Sequence, residues 1–306
     1  MEESSGNIKS KLADIVVQVQ TADINKALDD LDVLHSMLHG LSGLLHRCQI
    51  KLPADWYEFY EAMLIKFRLN VRSIIELYAP GAPPGDNVIY HDLGSIYLLS
   101  RSLLENYLIF FYCFRLPATG EEAWMHYYIF IICGQVTHLS YVTDDVPTEP
   151  EQEKWRGNKE QQLQQSRYKL KNLGCFQALP AKQQKEFLAG KHAKRFSFLK
   201  LIELSPLQNI LFADIWRLYS NYAHSEMVGL LQINSYATDR KGHDRALYST
   251  LAHALMLTAM MIKDVLIICQ GTEAEHVDLP ELTDENFVMV EYWYAMATTA
   301  GSTPVA

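Results

Sequence analysis

Three stretches of this chain, residues 91–114, 123–141 and 243–270, are strongly apolar at helical length, the first nearly all round and the last over more than half of its surface, and they constrain the fold more than anything else in it. The first, HDLGSIYLLSRSLLENYLIFFYCF, is broken only by Arg101, Glu105, Asn106 and a few small or terminal polar residues. A helix apolar nearly all round has to be covered on most sides. No stretch alternates polar and apolar residues with the period of a half-buried strand, so the covering elements are helices as well. The sequence therefore predicts an all-α multi-helix bundle, with no internal repeat.

Residues 123–141 contain no Asp, Glu, Lys or Arg and are just long enough to span a bilayer. Against a membrane span stand His126, Gln135, Thr137 and His138 within it and the lack of flanking basic residues. Lys263 and Asp264 interrupt 243–270 in the same sense. Both stretches are read as buried helices.

Residues 24–50 and 54–79 read as two amphipathic helices folded back on each other, the first with its apolar stripe on Ile24, Ala27, Leu28, Leu31, Leu34, Leu38, Leu41 and Leu45. The other face of that helix carries His35, His39 and His46. Imidazoles one turn apart can share a zinc ion, but His46 lies two turns beyond His39, and a solvated face is the simpler reading. No metal and no cofactor are expected. The run PGAPPGDN, residues 80–87, cannot continue a helix and marks a boundary.

The expected organisation is a polar start and hairpin over 1–80, a linker over 81–90, and a helical core over 91–271 with a polar insertion at 142–172. An acidic tail over 272–306 follows, with a short helix around 285–297 and a disordered end. Within the core, 179–190 is a short helix opened by Pro180 and closed by Gly190, and 232–242 is a loop. The ten residues KHAKRFSFLK, 191–200, are the densest basic cluster and read first as a solvated face, with a phosphate-contacting strip as the alternative.

The net charge of -9 argues against a protein that clings broadly to nucleic acid or anionic lipid, so any RNA contact has to be local. Five cysteines, Cys48, Cys113, Cys133, Cys175 and Cys269, show no CxxC or CxxH spacing and fit reduced thiols in a cytoplasmic protein. The polar amino terminus, MEESSGNIKSK, does not read as a signal peptide. Phosphate-cradling glycine loops, nucleophile elbows and metalloprotease or calcium-loop patterns are all missing from the sequence.

The most chemical feature lies in residues 209–230, NILFADIWRLYSNYAHSEMVGL, read as one amphipathic helix packed through Ile210, Ala213, Trp216, Leu218, Tyr219, Tyr222, Ala223 and Met227. Beside that face, Arg217, Ser220, Asn221 and His224 stand at i, i+3, i+4 and i+7. Seven residues fall about 20° short of two full turns, so the four share a direction, with Arg217 and His224 roughly 10 Å apart along the axis. A guanidinium fork and a ring that titrates near neutrality suit an anionic ligand. The structural alternative is a histidine hydrogen-bonded in the bundle and an arginine paired with Glu105 or Glu226. Arg101 and Glu105, spaced i, i+4, are expected to form a buried pair.

Arg217-x6-His224 in the carboxy-terminal part of an all-α bundle resembles the R-x(4–6)-H motif of the HEPN superfamily of helical-bundle nucleases and defence proteins. The pairing of LLSRSLLENYLIFFY with a later YSNYAHSEMVGL also resembles a bacterial helical domain of unknown function with abortive-infection-type relatives. The resemblance covers about residues 91 to 270. Leu218 stands where such nucleases often carry a polar residue after the arginine. The resemblance implies a metal-independent endoribonuclease acting on RNA and not DNA, as a toxin or phage-defence effector. In it His224 would handle the proton, Arg217 would stabilise phosphate charge, and Ser220, Asn221 and Tyr222 would orient the substrate. It also implies a homodimer, since such sites are commonly built from two chains. A non-catalytic helical interaction protein is the competing class.

Overall fold

A computed structural model describes residues 2–47, 54–78, 91–141, 150–223, 227, 231, 235, 239–269 and 283–299. The described residues form twelve helices and no strand, as the covered-helix argument requires. They are α1 (Glu2–Thr21), α2 (Ile24–Arg47), α3 (Ala54–Tyr78), α4 (Leu93–Phe114), α5 (Gly120–Ser140) and α6 (Pro150–Lys171), then α7 (Gly174–Gln177), α8 (Ala181–Leu188), α9 (Phe198–Leu204), α10 (Asn209–Ala223), α11 (Arg240–Cys269) and α12 (Asp284–Thr298). The chain divides into two compact units. Unit 1 comprises Met1–Leu108 and Ser205–Ala306, and unit 2 comprises Ile109–Leu204.

Unit 1 is organised on α11, whose Leu247, Leu251, Leu255, Met260 and Ile262 are fully buried. It packs against α2 and α12, while α2 pairs with α3 in the expected hairpin. Asp32 meets Arg72 and His35 senses Arg68, which sets the two helices antiparallel. Thus the amino-terminal hairpin and the carboxy-terminal helices share one unit, a grouping that chain order does not follow; the expected linker at 81–90 lies outside the described residues.

The polar start forms a helix, α1, which packs on α12 and buries Ile15 and Gln18. Ala22 ends it in the left-handed region (φ 52°), with the Asp23 amide donating back to the Gln18 carbonyl at 3.1 Å, a Schellman closure. Lys11 of α1 and Lys26 of α2 both reach Asp30, which is 1% exposed, at 2.9 and 3.3 Å. The acidic tail likewise carries a full helix, α12, capped by Thr283, whose hydroxyl accepts from the Asn286 amide, and anchored by the fully buried Trp293. Ser235 is helical inside the segment expected to be a loop, and α11 begins at Arg240, before His243.

Among the described residues α11 is the helix long and apolar enough to cross a membrane, and 72% of its most apolar window is buried within the protein, so its apolar surface is already covered by its own chain. Two phenols reach polar groups of α11 within the unit. The Tyr78 hydroxyl donates to the Leu247 carbonyl at 2.7 Å, and the Tyr107 hydroxyl donates to Asp264 at 3.2 Å.

Unit 2 is built on α5, which packs with α6, α7 and α8 and buries Met125, His126, Ile129 and Ile132. Leu163 and Leu170 of α6, Phe176 of α7, Phe187 of α8 and Leu201 and Ile202 of α9 are buried with them. Thr119 caps α5 by accepting from the Glu122 amide, and the Glu122 carboxylate accepts from the Ala118 amide. Gly190 closes α8 at φ 69°, where a Cβ would stand 2.7 Å from Val136 Cγ2, so glycine is required for conformation and for space.

Candidate functional site

The face that α10 buries is Phe212, Ile215, Tyr219 and Tyr222. Phe212 and Ile215 were not on the expected stripe, whereas Ile210 and Met227, which were, are 81% and 68% exposed. The physical reason is the position of Trp216. Its ring is only half-buried because its indole N–H is drawn to the edge of the face, donating to Glu105 at 3.1 Å, and the core-facing direction moves round to Ile215 and Phe212. Tyr97 of α4 receives the tyrosines, its ring 5.0 Å from Tyr219 and 4.5 Å, edge-on, from Tyr222.

Arg217 stands on the opposite, exposed side, where Nη1 meets Asp214 at 2.8 Å one turn back. Both side chains are more than half exposed. Of the partners considered from the sequence, Glu105 takes Arg101 and Trp216 instead, and Glu226 lies outside the described residues. Ser220 donates its hydroxyl to the Trp216 carbonyl at 2.7 Å, and Asn221 is half-buried. Tyr222 is 8% exposed, so its ring is a packing element against Tyr97. His224 lies outside the described residues. Of the four stripe positions, Arg217 alone among those described offers a solvent-facing charge.

Arg101 and Glu105 do pair, at 2.9 Å, with the Arg101 guanidinium 5.6 Å above the Trp216 ring. The pair is half-buried and not buried as expected, because α10 covers one side of it with a tryptophan and leaves the other to solvent. It is a clasp between α4 and α10.

Two histidines, His126 buried and His253 half-buried, went unassigned in the sequence. His253, in the middle of α11, shares a hydrogen bond of 2.8 Å with the Tyr219 hydroxyl. Burial pushes it down to about 4 and raises the Tyr219 phenol. In unit 2, His126 stacks on Tyr112 with ring centroids 4.0 Å apart and donates from Nδ1 to the Tyr112 carbonyl at 2.8 Å. Burial, helped by the Arg195 charge, lowers it to about 4 against the opposing pull of that hydrogen bond and of Glu122. The Tyr112 hydroxyl in turn accepts from the Arg195 amide at 3.3 Å, which ties the basic segment to the core of unit 2. A lone histidine inside an apolar helix was the available signal for both, since such a ring is held neutral and hydrogen-bonded.

Among the described residues no group of three or more His, Cys, Asp or Glu side chains is placed to hold a metal. His35 is half-buried, and burial followed by the Arg68 charge lowers its pKa. His39 is exposed, and the side chain of His46 lies outside the described residues. No protein family, no curated protein and no solved structure matches the chain.

Proposed function

We propose that the chain is a metal-independent endoribonuclease of HEPN type that works through Arg217 and His224, as a toxin or phage-defence effector. The observation that carries this reading is the exposure of Arg217: among the described residues its guanidinium pairs with Asp214, in an i, i+3 surface pair of the kind worth about 0.5 kcal/mol. A phosphodiester can take that place with two parallel hydrogen bonds. His224, seven residues on in the sequence, removes the proton of a ribose 2′-hydroxyl. The 2′-oxygen attacks phosphorus, the bond to the 5′-oxygen breaks, and the proton passes to that leaving oxygen, giving a 2′,3′-cyclic phosphate and a 5′-hydroxyl. Arg217 stabilises the charge that builds on the phosphate oxygens. Asn221 is the remaining candidate for orienting substrate, since the Ser220 hydroxyl and the Tyr222 ring are engaged within unit 1. A second copy completes the site in a homodimer.

A non-catalytic interaction module is the second reading, favoured by the partners that Arg217 and Ser220 already hold in Asp214 and the Trp216 carbonyl. Expression of the wild type beside Arg217→Ala and His224→Ala decides between them. Growth arrest and RNA fragments ending in cyclic phosphate are expected for the wild type alone. Identical growth and intact RNA in all three cultures remove the nuclease.

A further inference from the structure

Charge is distributed very unevenly between the two units. Unit 2 carries 13 Lys and Arg against 10 Asp and Glu, a net charge of +3, which leaves -12 for unit 1 out of the total of -9. The imbalance is sharper within unit 2. Residues 161–204 hold nine Lys and Arg against Glu186 and Glu203 alone, a net charge of +7 inside a chain whose remaining residues sum to -16. A basic stretch of this density in an acidic protein is an electrostatic footprint and has to be explained by what it meets.

The fold turns this stretch outward. Lys169, Lys171, Lys182, Lys185, Lys191 and Lys200 are all exposed. Arg167 donates to the Leu188 carbonyl at 2.8 Å and so fastens the basic end of α6 to the basic end of α8. Of the two acids, Glu203 is engaged by Lys200, and Glu186 faces His192 at 3.9 Å. Lys194 and Arg195 lie over Phe198 and Phe196, at 3.8 and 5.3 Å, so the chain interleaves cations and rings. Between Arg167 and Lys169, Tyr168 projects with 70% of its surface exposed, beside exposed amides at Gln161, Gln162, Gln164 and Gln165.

We propose that the surface formed by residues 161–204 binds single-stranded nucleic acid, with the lysines along the phosphates and Tyr168 stacked on a base. Backbone-tracking cations combined with an exposed ring are what a single strand requires. An anionic membrane would also attract the lysines, but it needs an apolar face to insert. The only large apolar or aromatic side chains exposed in this stretch are Tyr168 and Leu204. This surface does not depend on Arg217 or His224, so it holds whether or not the chain cuts what it binds.

The test is fluorescence anisotropy with a 2′-O-methyl RNA 20-mer, which cannot be cleaved through its 2′-oxygen, titrated with the full chain at several salt concentrations. Two triple variants change the net charge equally in different places: Lys182→Glu, Lys185→Glu, Lys191→Glu in unit 2, and Lys9→Glu, Lys66→Glu, Lys241→Glu in unit 1. All six lysines are exposed, so both chains should keep the wild-type circular dichroism. The unit 2 triple is expected to bind at least about tenfold more weakly and to lower the slope of log K against log salt by about 2, while the unit 1 triple stays within about threefold of wild type. Tyr168→Ala is expected to cost about fivefold or more. Equal weakening by the two triples, no binding by wild type at low salt, or tighter binding to phosphatidylserine vesicles than to RNA would each overturn the proposal. Binding without cleavage of ordinary RNA sinks the nuclease and leaves this surface standing.

Discussion

In unit 1 several ionisable groups are drawn wholly or partly inside and matched across helices, whereas in unit 2 most of the lysines are displayed. Asp30 holds lysines from two helices, Asp264 accepts from Tyr107 of α4, and Arg101 and Glu105 close on Trp216. The contacts at Asp30 tie α1 to α2, and those at Asp264 and Glu105 tie α4 to α11 and α10, because a buried charge is tolerated only when it is met. Unit 2 uses backbone and ring contacts for the same task, as where Gly174 donates to Glu121 and Arg195 donates its amide to Tyr112. That leaves most of its lysine side chains on the surface. The difference separates two kinds of charge: one that sets the fold, and one available to a partner.

Both units nonetheless contain an imidazole that desolvation holds neutral, and this similarity gives the largest expected effect. His253 and His126 are each pushed down to about 4. The unfolded chain protonates first as the pH falls, so the stabilisation is complete above the ordinary value near 6.5 and declines between 6.5 and about 4. Each group is worth about 3 kcal/mol once the lower value is passed. Urea unfolding at pH 7 and pH 4.5 should show the loss in the wild type, reduced in His126→Phe and in His253→Phe relative to their own pH 7 values. A variant whose pH dependence matches the wild type would show that its histidine is already charged, or solvated, in the folded protein.

The left-handed helix ends allow a finer contrast. Unit 1 places Ala22 at φ 52° and unit 2 places Gly190 at φ 69°. Gly190→Ala adds a methyl against Val136 as well as backbone strain and is expected to cost about 2 kcal/mol. Ala22→Gly relieves strain while loosening the unfolded chain and should change stability by less than about 1 kcal/mol. Denaturant midpoints of the two variants check this, and equal shifts would mean that the Val136 contact relaxes at no cost.

Local pattern sufficed for α2 to α5, α8 and α11, whose spacing and caps are written in neighbouring residues. It failed for α1, whose buried positions among the described side chains are Ile15 and Gln18, because a helix that covers so little of itself leaves almost no periodic signal. The tilt of the α10 face was hidden for a different reason. Trp216 reads as core until Glu105, a residue 111 positions away, is known to hold its indole at the edge. At the candidate site the exposure of Arg217 followed from its spacing, but its partner Asp214 was overlooked in favour of more distant acids.

That partner sets the smallest expected effect, and the one that makes the functional test clean. Arg217 and Asp214 are both more than half exposed, one turn apart on a solvent-facing strip, so screening and side-chain entropy cancel most of their attraction. Arg217→Ala, Asp214→Ala and the double variant should each lie within about 0.5 kcal/mol of wild type in thermal unfolding. With stability unchanged, a loss of RNA cleavage in Arg217→Ala reports on chemistry and not on folding. Asp214→Ala frees the guanidinium of its competitor and should preserve or raise cleavage. A large stability loss in Arg217→Ala would instead place that side chain with the matched charges of unit 1, and its exposure would no longer support a catalytic role.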